Sequence, residues 1–162
     1  MTAQIANGGY KIYPKITVED YNKESQSDKY TPLFENSKNI RIVQDAMFGS
    51  TNEVMGTSYR SRINDPKYQF AGKTGTAQVK RISMRERELD LKIEQIPYKD
   101  RDHALFVAYG PCINPRYALS IIVEHGGSGS KTAAPIAKEL FKLIIDRNDL
   151  RNKQKNFEEI EI

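Results

Sequence analysis

FAGKTGTAQV, Phe70–Val79, combines residue types that favour β-strands with two glycines. A glycine inside a strand weakens it, and it often marks a position where another backbone or a ligand approaches closely. Lys73, Thr74 and Thr76 would offer a fixed cation and two hydroxyls to an extended anionic ligand. The stretch therefore predicts a strand over residues 68–79 that binds a ligand along its edge.

A phosphate-binding P-loop also ends in Gly-Lys-Thr, as residues 72–74 do. That loop needs a glycine five residues before the Gly-Lys pair, so that its backbone amides can surround phosphate groups. Position 67 is lysine, and the residues between are bulky or extended types: Tyr68, Gln69, Phe70 and Ala71. We therefore exclude a P-loop.

Two further strands and two helices are predicted around this stretch. Residues 103–110 are apolar on both faces, as in a central strand, and residues 117–124 form a second apolar run after an Asn-Pro turn. Two such runs joined by a short turn predict an antiparallel hairpin. Helical spacing of apolar residues predicts one helix over residues 40–49 and another over residues 133–145. This order of elements predicts an α+β fold, in which helices cover an antiparallel sheet.

The remaining segments are assigned from their composition. They are a helix end closed by glycines at 5–9, an extended segment at 10–16, loops at 19–38 and 50–66, a glycine-rich junction at 126–130, and a charged insert at 80–102 that is either a short exposed helix or a solvated excursion. A charged tail follows from residue 146 and is expected to fray. We accordingly place the domain in residues 1–145 and the tail in 146–162.

Composition limits the classes of function. The chain has 162 residues, enough for one domain with a core, and a net charge of +4. It has no tryptophan, and its basic residues are not interleaved with aromatic rings on which bases could stack, so nucleic-acid binding is the weakest alternative. The single cysteine, Cys112, excludes an internal disulfide and a cysteine-based zinc site. No segment approaches the roughly 20 apolar residues that a membrane span requires, and the N-terminus lacks the pattern of a signal peptide.

Other residues match catalytic patterns only in part. Ser128–Lys131 is a literal Ser-x-x-Lys, in which a lysine one helical turn on can activate a serine, but it lies in the glycine-rich junction. Ser50–Asn52 matches Ser-x-Asn just beyond a predicted helix stop, and we interpret it as a turn. His103 and His125 stand at predicted strand ends without a second nearby ligand, so we predict no metal site and no cofactor.

Four stretches in series resemble one family. IANGGY, AGKTGTAQV, DHALFVAYGP, and VEHGGSGS followed by AAPIAKELF resemble, in that order, the C-terminal part of the transpeptidase domain of class B penicillin-binding proteins. The resemblance covers residues 3–145 and is strongest to the cell-elongation group of Gram-negative bacteria. It implies a five-stranded antiparallel sheet between helices, of which residues 68–79, 103–110 and 117–124 are the third, fourth and fifth strands.

The resemblance also implies roles for the Lys-Thr-Gly-Thr residues. Lys73 would set the electrostatics near the nucleophile, and the hydroxyls of Thr74 and Thr76 would receive the carboxylate of a peptidoglycan peptide stem or of a β-lactam. The backbone N–H of Thr76 would form half of an oxyanion hole, and the strand, including Gly75, would pair with the bound peptide. The complete protein would cross-link peptide stems at the periplasmic face of the inner membrane.

This sequence departs from the family pattern in one respect. The family's Ser-x-x-Lys nucleophile and Ser-x-Asn motif precede these blocks, and neither stands there in these 162 residues. We therefore expect the chain alone neither to cross-link peptide stems nor to react with penicillin. The family's first strand pairs with its fifth, so the edge at Tyr117–Glu124 is expected to be open to self-association or to an N-terminal companion chain. A non-catalytic interaction module that retains the fold is the alternative function.

Overall fold

The computed structural model describes residues 1–14, 16–17, 31–81, 84, 88–89 and 91–160, with backbone only for 153–160. Its regular elements are helix α1 (Thr2–Ala6), helix α2 (Ser37–Asn52), strands β1 (Ala71–Ala77), β2 (His103–Gly110) and β3 (Tyr117–Val123), and helix α3 (Ala134–Ile160). A π-helical turn at Gly129–Ala133 leads into α3, and short 3-10 turns lie at Tyr59–Ser61, Ile93–Gln95 and Tyr98–Asp100. None of the helices within these residues is long and apolar enough to cross a membrane.

The three strands form one antiparallel sheet in the order β1-β2-β3. β1 and β2 pair from Ala71 opposite Tyr109 to Ala77 opposite His103. β2 and β3 form the predicted hairpin, and β2 is the central strand, as its apolar residues on both faces indicate. The predicted α+β class, with helices on an antiparallel sheet, is confirmed.

Helices cover both faces of this sheet. On the α3 face, Phe70 stacks on Phe141 with ring centroids 5.0 Å apart, and it meets Phe106 edge-on at 6.2 Å. All three rings are fully buried. On the opposite face, Met47 of α2 packs with Tyr109 of β2, and residues of α1 pack beside them. The sheet is therefore fixed from both sides, and the position of β1 depends on both layers.

The first part of the chain agrees with several local predictions. Gly8 and Gly9 have φ angles of 90° and 92° and close α1, as the glycine stop predicts. Asn36 caps α2, because its side chain accepts a hydrogen bond from the amide of Lys38 at 3.0 Å. α2 continues three residues past Gly49, so the predicted helix end is wrong.

Other predictions fall partly outside the described residues. These are the loop at 19–38, the position of Lys15 in the extended segment, and residues 82–83, 85–87 and 90 of the charged insert. β1 is shorter than the predicted 68–79, because the amide of Tyr68 closes a turn on the carbonyl of Asp65 at 3.0 Å just before the strand.

Helix α3 continues through the segment that the sequence predicts to fray. Its helical spacing of apolar residues ends near Ile145, but polar contacts attach the next turn of the helix to the segment before β1. Lys67 Nζ lies 2.9 Å from Asp146 Oδ1 and 3.1 Å from Asp149 Oδ2, and Tyr68 Oη donates to Asp146 Oδ1 at 2.6 Å. The prediction that the helix ends at residue 145 is therefore wrong, because side chains before β1 hold its next turn.

We expect Asp146→Asn to lower the melting temperature by a small amount that depends on pH. The hydrogen bond from Tyr68, together with the Lys67 ammonium, lowers the pKa of the Asp146 carboxyl. A carboxylate whose pKa is lower in the folded chain stabilises it above the ordinary value of about 3.9, and this stabilisation is lost as the pH falls through the lower folded value. The difference in melting temperature between wild type and variant should be constant above about pH 5 and shrink below about pH 4.

The control for this measurement is Glu139→Gln. Glu139 is 3.6 Å from Lys142 on the exposed surface of the same helix, and this ion pair joins two residues of the helix itself. This control should leave the melting temperature unchanged at every pH. A difference for Asp146→Asn that persists undiminished at low pH would show that the carboxylate charge is not what holds the helix.

Candidate functional site

β1 carries the Lys-Thr-Gly-Thr residues along an open edge of the sheet. In the described part of the chain it pairs with β2 on one side and with no strand on the other. Its start is held by α2, because Asn52 Nδ2 donates to the carbonyl of Phe70 at 3.0 Å and to that of Phe48 at 3.1 Å. An edge strand leaves alternate backbone groups free to pair with an extended chain.

Strand alternation divides the motif side chains between the two faces of the sheet. Lys73 is opposite Val107, on the face covered by α1 and α2. Thr74 is opposite Phe106, on the face covered by α3, and Thr76 shares the face of Thr74. The residues predicted as one site therefore do not share a face, and what they have in common is the open edge.

The Lys73 side chain lies at this edge. Its Nζ donates to the carbonyl oxygen of Thr74 at 2.8 Å and lies 3.4 Å from Thr74 Oγ1. In an antiparallel pair, alternate residues direct both backbone groups away from the partner strand. The Thr74 carbonyl accepts from Lys73 at the open edge, which indicates that the backbone groups of Thr74 point away from β2. Those of Thr76, two positions further along the strand, point the same way. The ammonium group and the outward-facing backbone groups of both threonines thus lie along one edge, where the Thr74 carbonyl already accepts from Lys73.

The glycines of β1, Gly72 and Gly75, were predicted to mark positions where another group approaches the strand closely, and groups of the chain itself lie there. A Cβ at Gly72 would overlap the ring of Phe106. A Cβ at Gly129, the first residue of the π-helical turn, would lie 2.5 Å from the carbonyl oxygen of Leu105 and 2.9 Å from that of Gly75. Gly129 therefore packs so closely against β1 and β2 that no side chain larger than hydrogen fits at this position. Phe106 is thus the close neighbour of Gly72, and Gly129 is the close neighbour of the Gly75 carbonyl.

Ser50–Asn52 form the last turn of α2, so the interpretation as a turn after the helix is wrong. Thr51 is fully buried, and the carbonyl of Ser50 accepts from the amide of Ser58 at 2.9 Å. Among the described residues, the hydroxyls of Ser50, Thr51 and Ser58 are buried without a hydrogen-bond partner. The hydrogen bond from the Ser58 amide to the Ser50 carbonyl, together with the bond from Asn52 to Phe70, stabilises the helix past Gly49. The Ser-x-Asn match is a helix end that supports β1.

The Ser128–Lys131 match lies at the start of the π-helical turn Gly129–Ala133, which takes up the last two residues of the junction predicted at 126–130. Ser128 Oγ accepts from the backbone amide of Lys131 at 3.4 Å and lies 3.2 Å from Ser130 Oγ. Within the described residues, no hydrogen bond joins the Lys131 ammonium to a serine hydroxyl. Ser128 is thus a capping residue, and its exclusion as a nucleophile stays a prediction.

His103 and His125 lie in contact, although the sequence analysis assigned neither a nearby histidine. The backbone N–H of His125 donates to His103 Nδ1 at 2.9 Å, and the ring centroids are 4.9 Å apart. The strand register explains the contact: Ala104 pairs with Val123, so His103, the first residue of β2, lies beside the residues that follow the end of β3. The described residues contain no group of three or more His, Cys, Asp or Glu side chains that could hold a metal ion.

Cys112 is not a candidate nucleophile. Burial raises the pKa of its thiol to about 12. The pKa of Tyr109 is also raised to about 12, mainly by burial and further by Cys112 and Asp45. Both groups are therefore neutral near pH 7, and a protonated thiol is a poor nucleophile.

Comparison with known proteins gives a consistent result. A family model described as "Penicillin binding protein transpeptidase domain" matches residues 1–142. The peptidoglycan D,D-transpeptidase MrdA of Salmonella typhimurium strain SL1344 is 37% identical over 105 residues, which are 65% of this chain and 16% of that protein. The aligned part is therefore a small fraction of the relative.

Solved structures are similar over a larger part of the chain. The structure of Pseudomonas aeruginosa PBP2 in complex with WCK 5153 has a TM-score of 0.65 and 30% identity, and the match covers 88% of this chain and 28% of that one. Helicobacter pylori PBP2, in a complex with MreC, has a TM-score of 0.65 and 31% identity, with 88% of this chain and 23% of that one covered.

Proposed function

This chain belongs to the family of penicillin-binding-protein transpeptidase domains, and we propose that it is the C-terminal part of a peptidoglycan D,D-transpeptidase domain that cross-links peptide stems in cell-wall synthesis. One observation carries the proposal: the Lys73 ammonium and the outward-facing backbone groups of Thr74 and Thr76 share the open edge of β1. An extended peptide stem would add to this edge as a further strand. We place the domain in residues 1–145, and the complete protein would act at the periplasmic face of the inner membrane.

Some groups of the motif would then bind the substrate, and another would stabilise the oxyanion. The Lys73 ammonium and the hydroxyls of Thr74 and Thr76 would bind a carboxylate of the stem or of a β-lactam through charge-assisted hydrogen bonds. The backbone N–H of Thr76 would donate to the oxyanion that forms when a serine attacks the stem carbonyl. A donor of this kind contributes about 3 kcal/mol to lowering the barrier. Gly75 adds no side chain between these groups.

The serine nucleophile would come from a preceding part of the domain. Among the described residues, no basic side chain is hydrogen-bonded to the hydroxyl of Ser128 or of Ser50. Acyl transfer needs a serine whose proton is taken up as its oxygen attacks. These 162 residues alone are therefore expected to remain unacylated.

The second open edge of the sheet suggests where that preceding part would dock. β3 pairs only with β2 in the described part of the chain, and Ile122 on β3 is 62% exposed. An exposed apolar edge strand readily pairs with another chain. We propose that Tyr117–Glu124 pairs with the preceding part of the domain, and that copies of this chain associate there in its absence.

Labelling with a fluorescent penicillin tests the proposed function. We expect no adduct that survives denaturation on this chain alone. We expect an adduct in a mixture of this chain with the part of Salmonella typhimurium MrdA that precedes the aligned segment. That part alone is the control, and it should react far more slowly because it lacks the Lys73 ammonium and the Thr76 N–H. A mixture no more reactive than the control would favour the alternative, a non-catalytic interaction module.

A further inference from the structure

Three hydrogen bonds clamp the turn after β3 to the start of β2. The N–H of His125 donates to His103 Nδ1 at 2.9 Å, His125 Nδ1 donates to the carbonyl of Arg101 at 3.0 Å, and the N–H of Gly127 donates to the carbonyl of Asp102 at 2.8 Å. His125 has a φ of 55°, a conformation that non-glycine residues rarely adopt. The turn, residues 124–128, is thus held in an uncommon backbone conformation by contacts to one short segment.

One of these bonds depends on the protonation state of His103. A backbone N–H can only donate, so His103 Nδ1 must be unprotonated to accept from His125. A proton on His103 Nδ1 would set two N–H groups against each other. His125 differs, because its Nδ1 donates to a carbonyl and can do so in the neutral and in the protonated ring. Of the two imidazoles, only His103 must be neutral for the clamp to close.

The clamped turn leads to the residue that packs on the motif strand. Gly129 directly follows the turn, and a Cβ there would lie 3.2 Å from Thr74 Cβ and 2.9 Å from the carbonyl oxygen of Gly75. Thr132 Oγ1 donates to the carbonyl of Gly126 at 2.8 Å, which ties the π-helical turn to the clamped turn. His103 is itself paired with Ala77, the last residue of β1. A displacement of the turn therefore changes the support of β1.

We propose that neutral His103 is a positioning residue for the edge formed by Lys73–Thr76. It holds the 124–128 turn, and through Gly129 it holds the strand; protonation of His103 releases both. The consequence for transpeptidation rests on the proposed function, whereas the chain of contacts does not.

Other titratable groups surround the two imidazoles. The ring of Tyr98 lies 5.1 Å from that of His125, and Tyr98 Oη donates to the backbone carbonyl of Glu124 at 3.5 Å. The guanidinium of Arg101 lies 5.8 Å from the ring of Tyr98, and Asp102 accepts from the amide of Val79 at 3.4 Å. His103 and His125 are the only two histidines of the sequence, so variants of each are needed to tell their effects apart.

Amide NMR of the ¹⁵N-labelled chain between pH 8 and pH 5 tests the proposal. The protection factor of the His125 amide, corrected for the intrinsic pH dependence of exchange, should fall about three- to tenfold, the size expected for loss of one hydrogen bond. The amide shifts of Thr74, Gly75 and Gly129 should titrate with the midpoint of the His103 ring. Shifts of Thr74 and Gly75 that do not follow this midpoint would overturn the proposal.

Two variants and a control assign the effect to one imidazole. His103→Asn keeps an acceptor near the position of Nδ1 but does not titrate, so Thr74 and Gly75 should keep their high-pH shifts at all pH values. His103→Phe has no acceptor and should give the low-pH shifts throughout. His125→Asn keeps the backbone N–H and suits a positive φ, so the titration at Thr74 should persist.

A titration that survives in His103→Asn, or that disappears in His125→Asn, would overturn the assignment. If His103→Phe fails to fold, the wild-type titration and His103→Asn still decide the question. None of these measurements uses penicillin, so their failure is separate from a failure of the proposed function.

Discussion

Lys73→Ala is expected to reduce penicillin labelling of the two-part mixture by at least about 100-fold, the loss seen when one group that stabilises developing charge is removed. Lys73 is exposed, and the hydrogen bonds of its Nζ within the described residues go only to Thr74. The substitution therefore removes a cation from the open edge without removing core packing. The melting temperature of the chain should stay unchanged, which separates the loss of reactivity from a loss of folding.

Lys131→Ala is the matched control for this prediction. Lys131 is also an exposed lysine, and it belongs to the one Ser-x-x-Lys match in the sequence. Labelling should be unaffected by its removal. The opposite pattern, in which Lys131→Ala abolishes labelling and Lys73→Ala leaves it intact, would assign the chemistry to Ser128 and contradict the role of the β1 edge.

Gly72→Ala is expected to lower the free energy of unfolding by about 2 to 3 kcal/mol, because it overpacks a closed core. A Cβ at this position would overlap the ring of Phe106, which is fully buried and packed edge-on against Phe70. The ring cannot move away without disturbing its contacts with the α3 layer. Urea denaturation of wild type and variant measures the difference.

Gly75→Ala, in the same strand, provides the comparison. A Cβ there would lie 3.2 Å from Leu105 Cβ on the less crowded face, so the expected loss is below about 1 kcal/mol. Equal losses for the two variants would show that strand propensity, and not the contact with Phe106, determines the requirement for glycine at position 72.

The strands were the part of the fold that the sequence predicted best. Residues 103–110 form a continuous apolar run, and both faces of such a run are buried only in a central strand that is covered on both sides. β2 has these same bounds. The hairpin with β3 followed from the short turn between two apolar runs, and β3 ends one residue earlier than predicted. Local pattern was sufficient here because burial on both faces leaves few alternatives.

Helix ends were predicted less well, because tertiary contacts decide them. α2 passes Gly49, since Asn52 and Ser50 at its end bond to residues outside the helix. α3 passes residue 145, since Lys67, far away in sequence, binds its next turn. Such contacts join distant segments and leave no periodic pattern in the local sequence.

The site was predicted in part. The sequence predicted the motif strand, and strand alternation already implies that Lys73 and Thr74 lie on different faces of the sheet. The contact between His103 and His125 could have been found, because the predicted hairpin places the first residue of β2 beside the residues after β3. That Gly129 packs on Gly75 could not have been found from local pattern, since it depends on the path of the turn between β3 and α3.

The most direct test of the central claim is to locate the penicilloyl group in the labelled mixture by mass spectrometry. If this chain brings Lys73 and Thr76 to a nucleophile elsewhere in the domain, the group will be found on a serine of the preceding part and on no residue of this chain. A penicilloyl group on Ser128, or on any other serine of these 162 residues, would contradict the account.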